Sequence, residues 1–216
     1  MEGSIIKGVG GFYYVSTTEG ILTCKAKGTF RREGITPVVG DRVCITTHTS
    51  GYAQIDEILP RRNLLVRPAV SNIDRLLIVL SAHFPEPDWL LSDKLIVQAT
   101  LNRIEPVMIL NKADEAEPSI RDSFDRDYRL FPRIVVSALS GEGLQRLQDA
   151  IAGKICCFAG QSAVGKSSLM NALLPELDLP VGELTRKTDR GKHTTRHAQL
   201  WPCFGGALLD TPGFSL

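Results

Sequence analysis

Residues 160–168 read GQSAVGKSS. Two glycines, a lysine and two serines at that spacing suit the binding of a chain of phosphates. Gly160 and Gly165 let the backbone wrap closely, so that successive N–H groups across Gln161, Ser162, Ala163 and Val164 can face negative charge. Lys166 can reach β- and γ-phosphates, the Ser167 hydroxyl can ligate Mg²⁺, and Ser168 continues the loop into a helix. The flanks fit: the apolar run KICCF precedes the loop and SSLMNALLP, a helix former, follows it. A helix N-terminus aimed at the phosphates adds its own partial positive charge.

A second constellation lies upstream. VMILNKAD, residues 107–114, is an apolar strand running into Asn111, Lys112 and Asp114. The Asp114 carboxylate offers two coplanar acceptors for the N1–H and exocyclic amine of guanine, donors that adenine lacks in that arrangement. Asn111 and Lys112 would brace the loop and cover the base. VVSAL, residues 135–139, supplies Ser137 and Ala138, whose backbone N–H groups could meet guanine O6.

Two further signals lie downstream. DTPG at 210–213 follows the apolar run GALL; Asp210 at the end of a strand can bind Mg²⁺ through water, and the Gly213 N–H can contact a γ-phosphate. GKHTTRH, residues 191–197, offers Thr194 and Thr195 as the switch threonine that ligates Mg²⁺ in the triphosphate state. The sequence does not choose between them, and we assign the role to Thr195. The elements therefore occur in the order base, O6, phosphate, switch threonine, DxxG, a circular permutation of the usual order. Permutation is physically tolerable because domain termini lie at the surface and often close together.

These residues need a scaffold, and the chain of 216 residues has length for a small domain and a medium one. Residues 1–68 carry short β-branched runs (FYYVST, GILTCKAKG, DRVCITTHT, YAQIDEIL) between Gly, Pro and Asp turns, the spacing of a small all-β barrel. From NIDRLLIVLSAH onward apolar strands alternate with helical patterns, as in a mostly parallel sheet covered by helices. Strands are expected at 74–82, 106–111, 133–137, 154–159, 197–203 and 206–210. Leu144, Leu147 and Ile151 recur at helical spacing and predict a helix face packed on the sheet.

Composition excludes several classes. The apolar fraction is 43% and the charged fraction 23%, as in a soluble globular chain. No window of eighteen apolar residues predicts a membrane span, and MEGSIIKGVGG lacks a secretion signal, so a cytoplasmic protein with no membrane partner is expected. The five cysteines form no C-x-x-C pair; Cys156 and Cys157 read as packing residues, as do Trp89 and Trp201. The net charge of +1 conceals RKTDRGKHTTRH, residues 186–197, where five Lys/Arg oppose one Asp. Such a run is either a solvated loop or a segment that meets phosphate. Residues 1–68 carry nine Lys/Arg against six Asp/Glu.

Taken together, CKAKGTFRREGITPVVGDRV and IDEILPRRNLLVRP at the start, then VMILNKAD, GQSAVGKSSLMNALLP, GKHTTRH and DTPGF, make the chain resemble the circularly permuted, ribosome-small-subunit-dependent GTPases. These are bacterial factors in late maturation of the 30S subunit. The resemblance covers essentially the whole chain. It implies an α/β P-loop GTPase domain, residues 69–216, preceded by an OB-fold barrel, residues 1–68, that binds RNA or the ribosome. It implies GTP and GDP as ligands, Mg²⁺ with GTP, the 30S subunit and its 16S rRNA as partners, and a monomer. Catalysis would rest on Lys166, Thr195 and His193, the last because Phe214 stands where many GTPases keep a water-positioning Gln and an apolar side chain cannot orient water.

Three departures from the family pattern stand out. Ala163 replaces a usual Gly, Arg196 a usual Thr, and the chain stops at Leu216, where relatives continue into a helical, zinc-binding region. Zinc is thus expected of the family with no ligands for it here, and ribosome affinity and stimulation are expected to be weaker than in a longer relative. Two other functions compete with a 30S-stimulated hydrolase: a GTP-dependent rRNA-binding module with negligible turnover, and a P-loop ATPase or kinase in which NKAD is accidental.

Overall fold

Alternating β-branched and aromatic residues build the first five strands: β1 (Glu2–Val9), β2 (Phe12–Thr17), β3 (Gly20–Ala26), then, after the short helix α1 (Gly28–Arg32), β4 (Arg42–Thr46) and β5 (Ala53–Ile58). The computed structural model describes residues 1–47, 51–66, 68–177 and 198–210. The strands pair in the order β1-β2-β3-β5-β4, and β4 returns to β1, closing a five-stranded barrel. Closure removes free sheet edges. Ile5, Val15, Cys24, Val43, Ile45 and Ile55 point inward and are at most 2% exposed. Sequence patterning leaves β1 unassigned for a physical reason: its pairing with β2 steps from Ile5↔Val15 to Lys7↔Tyr14 across a bulge. The extra residue breaks the strict alternation of a strand.

A short hairpin follows, β6 (Leu64–Val66) and β7 (Ala69–Ser71). A fully buried carboxylate ties it to the barrel. Asp41 accepts both guanidinium hydrogen bonds of Arg61 at 2.7 and 2.8 Å, the Ser71 hydroxyl at 2.6 Å and the Val38 N–H at 2.8 Å. Its oxygens are thereby satisfied, which a buried charge requires.

The remaining elements are β8 (Arg75–Ser81), α2 (Trp89–Leu101), β9 (Glu105–Asn111), α3 (Pro118–Asp127), β10 (Arg133–Val135), α4 (Leu144–Ile151), β11 (Ile155–Ala159), α5 (Lys166–Leu173), β12 (Gln199–Cys203) and β13 (Gly206–Asp210). Strand order is β10-β9-β8-β11-β13-β12, and β10, β9, β8 and β11 run parallel. Leu76–Leu80, Val107–Leu110 and Cys156–Ala159 are almost entirely buried, as continuous apolar runs are when helices cover both faces of a parallel sheet. Asp88 caps α2 by accepting from the Leu91 N–H at 2.9 Å. Leu147 and Ile151 bury the inner face of α4, and Trp89 stacks on Tyr128.

The chain divides into two compact units, one chiefly Met1–Ile73 and the other chiefly residues 74–177; residues 198–201 and 209–210 group with the first, and Pro202–Leu208 with the second. Among the described residues no helix is long and apolar enough to cross a membrane.

Candidate functional site: a nucleotide cradle at one edge of the parallel sheet

Register places the motifs together. Ser81 pairs with Asn111, Val135 with Leu110, and Ala159 with Ile78, so the C-terminal ends of β8, β9, β10 and β11 lie along one edge. Ligands of open α/β sheets bind at that edge. The loops at 82–88, 112–117, 136–143 and 160–165 all emerge there.

The 160–165 loop leaves β11 and enters α5 at Lys166. Gly160 has φ +133° and Gly165 φ +95°. A Cβ at Gly160 would strike the Val79 carbonyl, and one at Gly165 the Asn111 amide, so both positions exclude side chains sterically as well as torsionally. Ala163 also has positive φ, +65°, which accounts for the usual Gly at this position of the family pattern. Val164, Leu169, Met170 and Leu173 are buried and anchor loop and helix. Ser162, Ala163 and Ser167, the last at the start of α5, are exposed.

Lys166 folds back over the loop and donates to the carbonyls of Gly160 at 2.8 Å and Gln161 at 2.6 Å. Burial pulls its ammonium down to about 8, because the charged form loses hydration without a carboxylate to replace it. Among the described residues the buried Gln161 Oε1 has no hydrogen-bond partner. A buried ammonium held only by carbonyls suits an anionic ligand.

Asn111 joins three motifs. Its side chain is 1% exposed; Nδ2 donates to the Val164 carbonyl at 2.9 Å, and Oδ1 accepts from the Ala138 N–H at 3.3 Å. Lys112 adopts a left-handed backbone, φ +62°, and its Nζ donates to the Phe84 carbonyl. That turn sends Asp114 into a short 3₁₀ segment, Ala113–Glu115, where its side chain is exposed at the sheet edge. Arg121 holds the segment by donating to the Ala113 carbonyl at 2.9 Å.

The 136–143 loop refines one expectation. The Ser137 N–H donates to the Glu142 carbonyl at 2.9 Å, and the Ser137 hydroxyl accepts from the Leu139 and Ser140 N–H groups. Ser137 therefore closes the loop on itself, and its backbone donor is already engaged. Ala138, whose N–H meets only the long 3.3 Å bond to Asn111, is the backbone donor that the geometry leaves for a base oxygen. The Lys112–Phe84 contact and the loop-closing role of Ser137 are not visible in the motif pattern, since they depend on which loops become neighbours.

The backbone of Asp210 ends β13. His193, Thr194, Thr195 and Gly213 lie outside the described residues. Among the described residues no group of three His, Cys, Asp or Glu side chains comes together to hold a metal ion.

Comparison with known proteins agrees along the whole chain. Residues 58–216 match the family model described as RsgA GTPase, and residues 2–55 match the RsgA N-terminal domain. The small ribosomal subunit biogenesis GTPase RsgA of Caldanaerobacter subterraneus subsp. tengcongensis is 44% identical over 220 residues, covering 100% of this chain and 74% of that protein. The protein of the same name in Geobacillus thermodenitrificans is 41% identical over 219 residues, covering 99% and 75%. Among solved structures, YjeQ from Thermotoga maritima superposes with a TM-score of 0.85 at 34% identity, covering 99% of this chain and 75% of that one. YloQ, described as a circularly permuted GTPase, gives 0.79 at 34% identity, covering 100% and 72%. With its five-stranded barrel, its permuted P-loop sheet and this match along both, the chain belongs to the RsgA GTPase family.

Proposed function

We propose that this chain hydrolyses GTP during late maturation of the small ribosomal subunit, with residues 69–216 as the hydrolase and residues 1–68 as the ribosome-directed barrel. The carrying observation is the convergence of the NKAD, Ser-Ala and phosphate loops on Asn111, which supports a guanine-reading NKAD and favours GTP over ATP. The names of the relatives, small ribosomal subunit biogenesis GTPases, supply the partner.

In this reading the Asp114 carboxylate accepts from guanine N1–H and N2–H, and the Ala138 N–H donates to O6. Lys166 exchanges the Gly160 and Gln161 carbonyls for β- and γ-phosphate oxygens and is fully protonated there. The N–H groups from Gln161 to Ser168, at the start of α5, surround the phosphates. Mg²⁺ neutralises developing phosphate charge; Ser167 and Thr195 would hold it directly and Asp210 through water. By their place in the motifs, Thr194 and the Gly213 N–H would contact the nucleotide, and His193 would orient the attacking water in place of the Gln that Phe214 replaces. The protein acts as a cytoplasmic monomer on 30S subunits and their 16S rRNA.

GTP turnover with and without 30S subunits, alongside competition between GTP and ATP, tests this. We expect slow intrinsic hydrolysis, stimulation by 30S, and GTP preference. Lys166→Ala should impair binding and turnover together, and His193→Ala should spare binding and slow turnover by about 10²–10⁴. Normal stimulated turnover in the His193 variant would remove its catalytic role. Nucleotide-dependent 30S binding without any turnover would favour the alternative, a GTP-dependent ribosome-binding module.

A further inference from the structure

The bulge in β1 has a consequence on the outside of the barrel. Ile5 faces the core opposite Val15, and two residues on, in an unbroken strand, Lys7 would face the core as well. The bulge instead sets Lys7 opposite Tyr14 on the outer surface, with its Nζ 6.0 Å from the Tyr14 ring centroid. Bulges are a means of re-aiming single side chains in this way.

Phe12 shares that surface with Tyr14, two residues along β2, and pairs opposite Lys25 of β3. The Phe12 ring meets Tyr52 at 5.3 Å between centroids, tilted by 50°. The Lys25 ammonium stands over both rings, 4.9 Å from the Phe12 centroid and 5.0 Å from that of Tyr52. Tyr52 is 46% exposed. Three aromatic rings and two lysines therefore interleave across neighbouring strands, with no core for the rings to serve. Two nearby carboxylates are engaged elsewhere: Asp56 accepts from Gln54, and Glu2 pairs with Arg42.

We propose that the outer face of β1, β2 and β3 is a stacking platform for a single-stranded RNA segment, in which Phe12, Tyr14 and Tyr52 take bases and Lys7 and Lys25 take the flanking phosphates. Aromatic faces accept any base, and cations beside them complement a polyanion. Lysines parked over rings in the free protein swing to phosphate on binding and uncover the ring faces for stacking. The platform deepens, and as a ribosomal contact rests on, the ribosome-directed reading of the barrel given above.

The test is binding of a fluorescein-labelled single-stranded RNA of about ten nucleotides, within the ~4–16-nucleotide site size of one OB barrel, to the full chain across a salt series. Phe12→Leu, Tyr14→Leu and Tyr52→Leu should each weaken binding about tenfold without changing the salt slope, whereas Tyr14→Phe and Tyr52→Phe should bind normally. Lys7→Gln and Lys25→Gln should each flatten the slope of log affinity against log salt by about 0.7. Lys94→Gln, an exposed lysine of α2, is the charge-matched control and should change neither. Where Tyr14→Leu perturbs the barrel, Tyr52→Leu, outside the strands, carries the same test. No binding, or tenfold-insensitive binding in the Leu variants, overturns the platform. Co-sedimentation with 30S subunits separates it from the broader reading. RNA binding with the expected ring dependence but no 30S binding would support the platform and remove the ribosomal partner. Loss of 30S binding in the Leu variants with RNA binding intact would assign this face to a ribosomal protein and overturn the RNA proposal.

Discussion

The side-chain amide of Asn111 donates to the backbone carbonyl of Val164 at 2.9 Å, across 53 positions of sequence. One buried group thus sets the distance between the loop proposed to read the base and the loop that cradles phosphate. Asn111→Ala should leave the Val164 carbonyl and the Ala138 N–H without this partner, destabilising the fold by about 1–3 kcal/mol and weakening GTP and GDP alike. Chemical denaturation and nucleotide titration of the same variant check this; normal stability with normal affinity would show that the brace is dispensable.

Asp114 should behave in the opposite way. Its carboxylate is exposed in the short 3₁₀ segment, so Asp114→Ala should melt like the unaltered chain. It should still lose about two to four decades of GTP affinity, from two hydrogen bonds to a charged acceptor at roughly 1.5–3 kcal/mol each. Asp114→Asn should shift preference toward xanthine nucleotides. Unchanged GTP affinity in both variants would return NKAD to the status of a turn.

Ala163 carries a β-carbon at φ +65°. A left-handed conformation costs an L-residue about 1–2 kcal/mol, and glycine at the same place loses about 0.4–1 kcal/mol more unfolded-state entropy. The difference predicts that Ala163→Gly is more stable by about 0.5–1 kcal/mol, read as a higher denaturant midpoint at unchanged slope. A β-branched Ala163→Val should be destabilised instead. A drop in midpoint for the glycine variant would contradict the strain.

Lys166 links the cradle to pH. Burial lowers its value to about 8 in the folded chain, against about 10.4 in an unfolded chain. Between these values the unfolded chain holds more protons than the folded one, so nucleotide-free stability should rise with pH across roughly 8 to 10.4. Phosphates restore the ammonium, so nucleotide binding should take up a proton and weaken as pH climbs above about 8. Titration calorimetry in two buffers of different ionisation enthalpy measures that uptake directly; its absence above pH 8, or its persistence in Lys166→Met, would break the link.

Long apolar runs made β8, β9 and β11 legible in the sequence, because a strand buried on both faces needs no subtle pattern. The short motifs could be located from their residue types and spacing, and register brings the NKAD, Ser-Ala and 160–165 loops to one sheet edge. What the sequence hid was contingent on register. The β1 bulge scrambles an alternation that local patterning depends on. The Ser137 N–H looks free until the chain turns back and Glu142 presents its carbonyl. The short helix α1, with no side-chain cap, has no local start signal to find.

The order of strands in the parallel sheet has a temporal side. β11 sits between β8, which precedes it, and β13, which follows it, while β8, β9 and β10 are neighbours linked by α2 and α3 in direct succession. During synthesis the chain emerges from its N-terminal side, and a domain folds as a unit. The segment from β8 to β10, which carries Asn111 and Asp114, has therefore left the ribosome's active centre while β11 is still being translated. The residues proposed to read the base thus precede in time those proposed to hold phosphate, and the two sets can meet only once β11 has docked against β8.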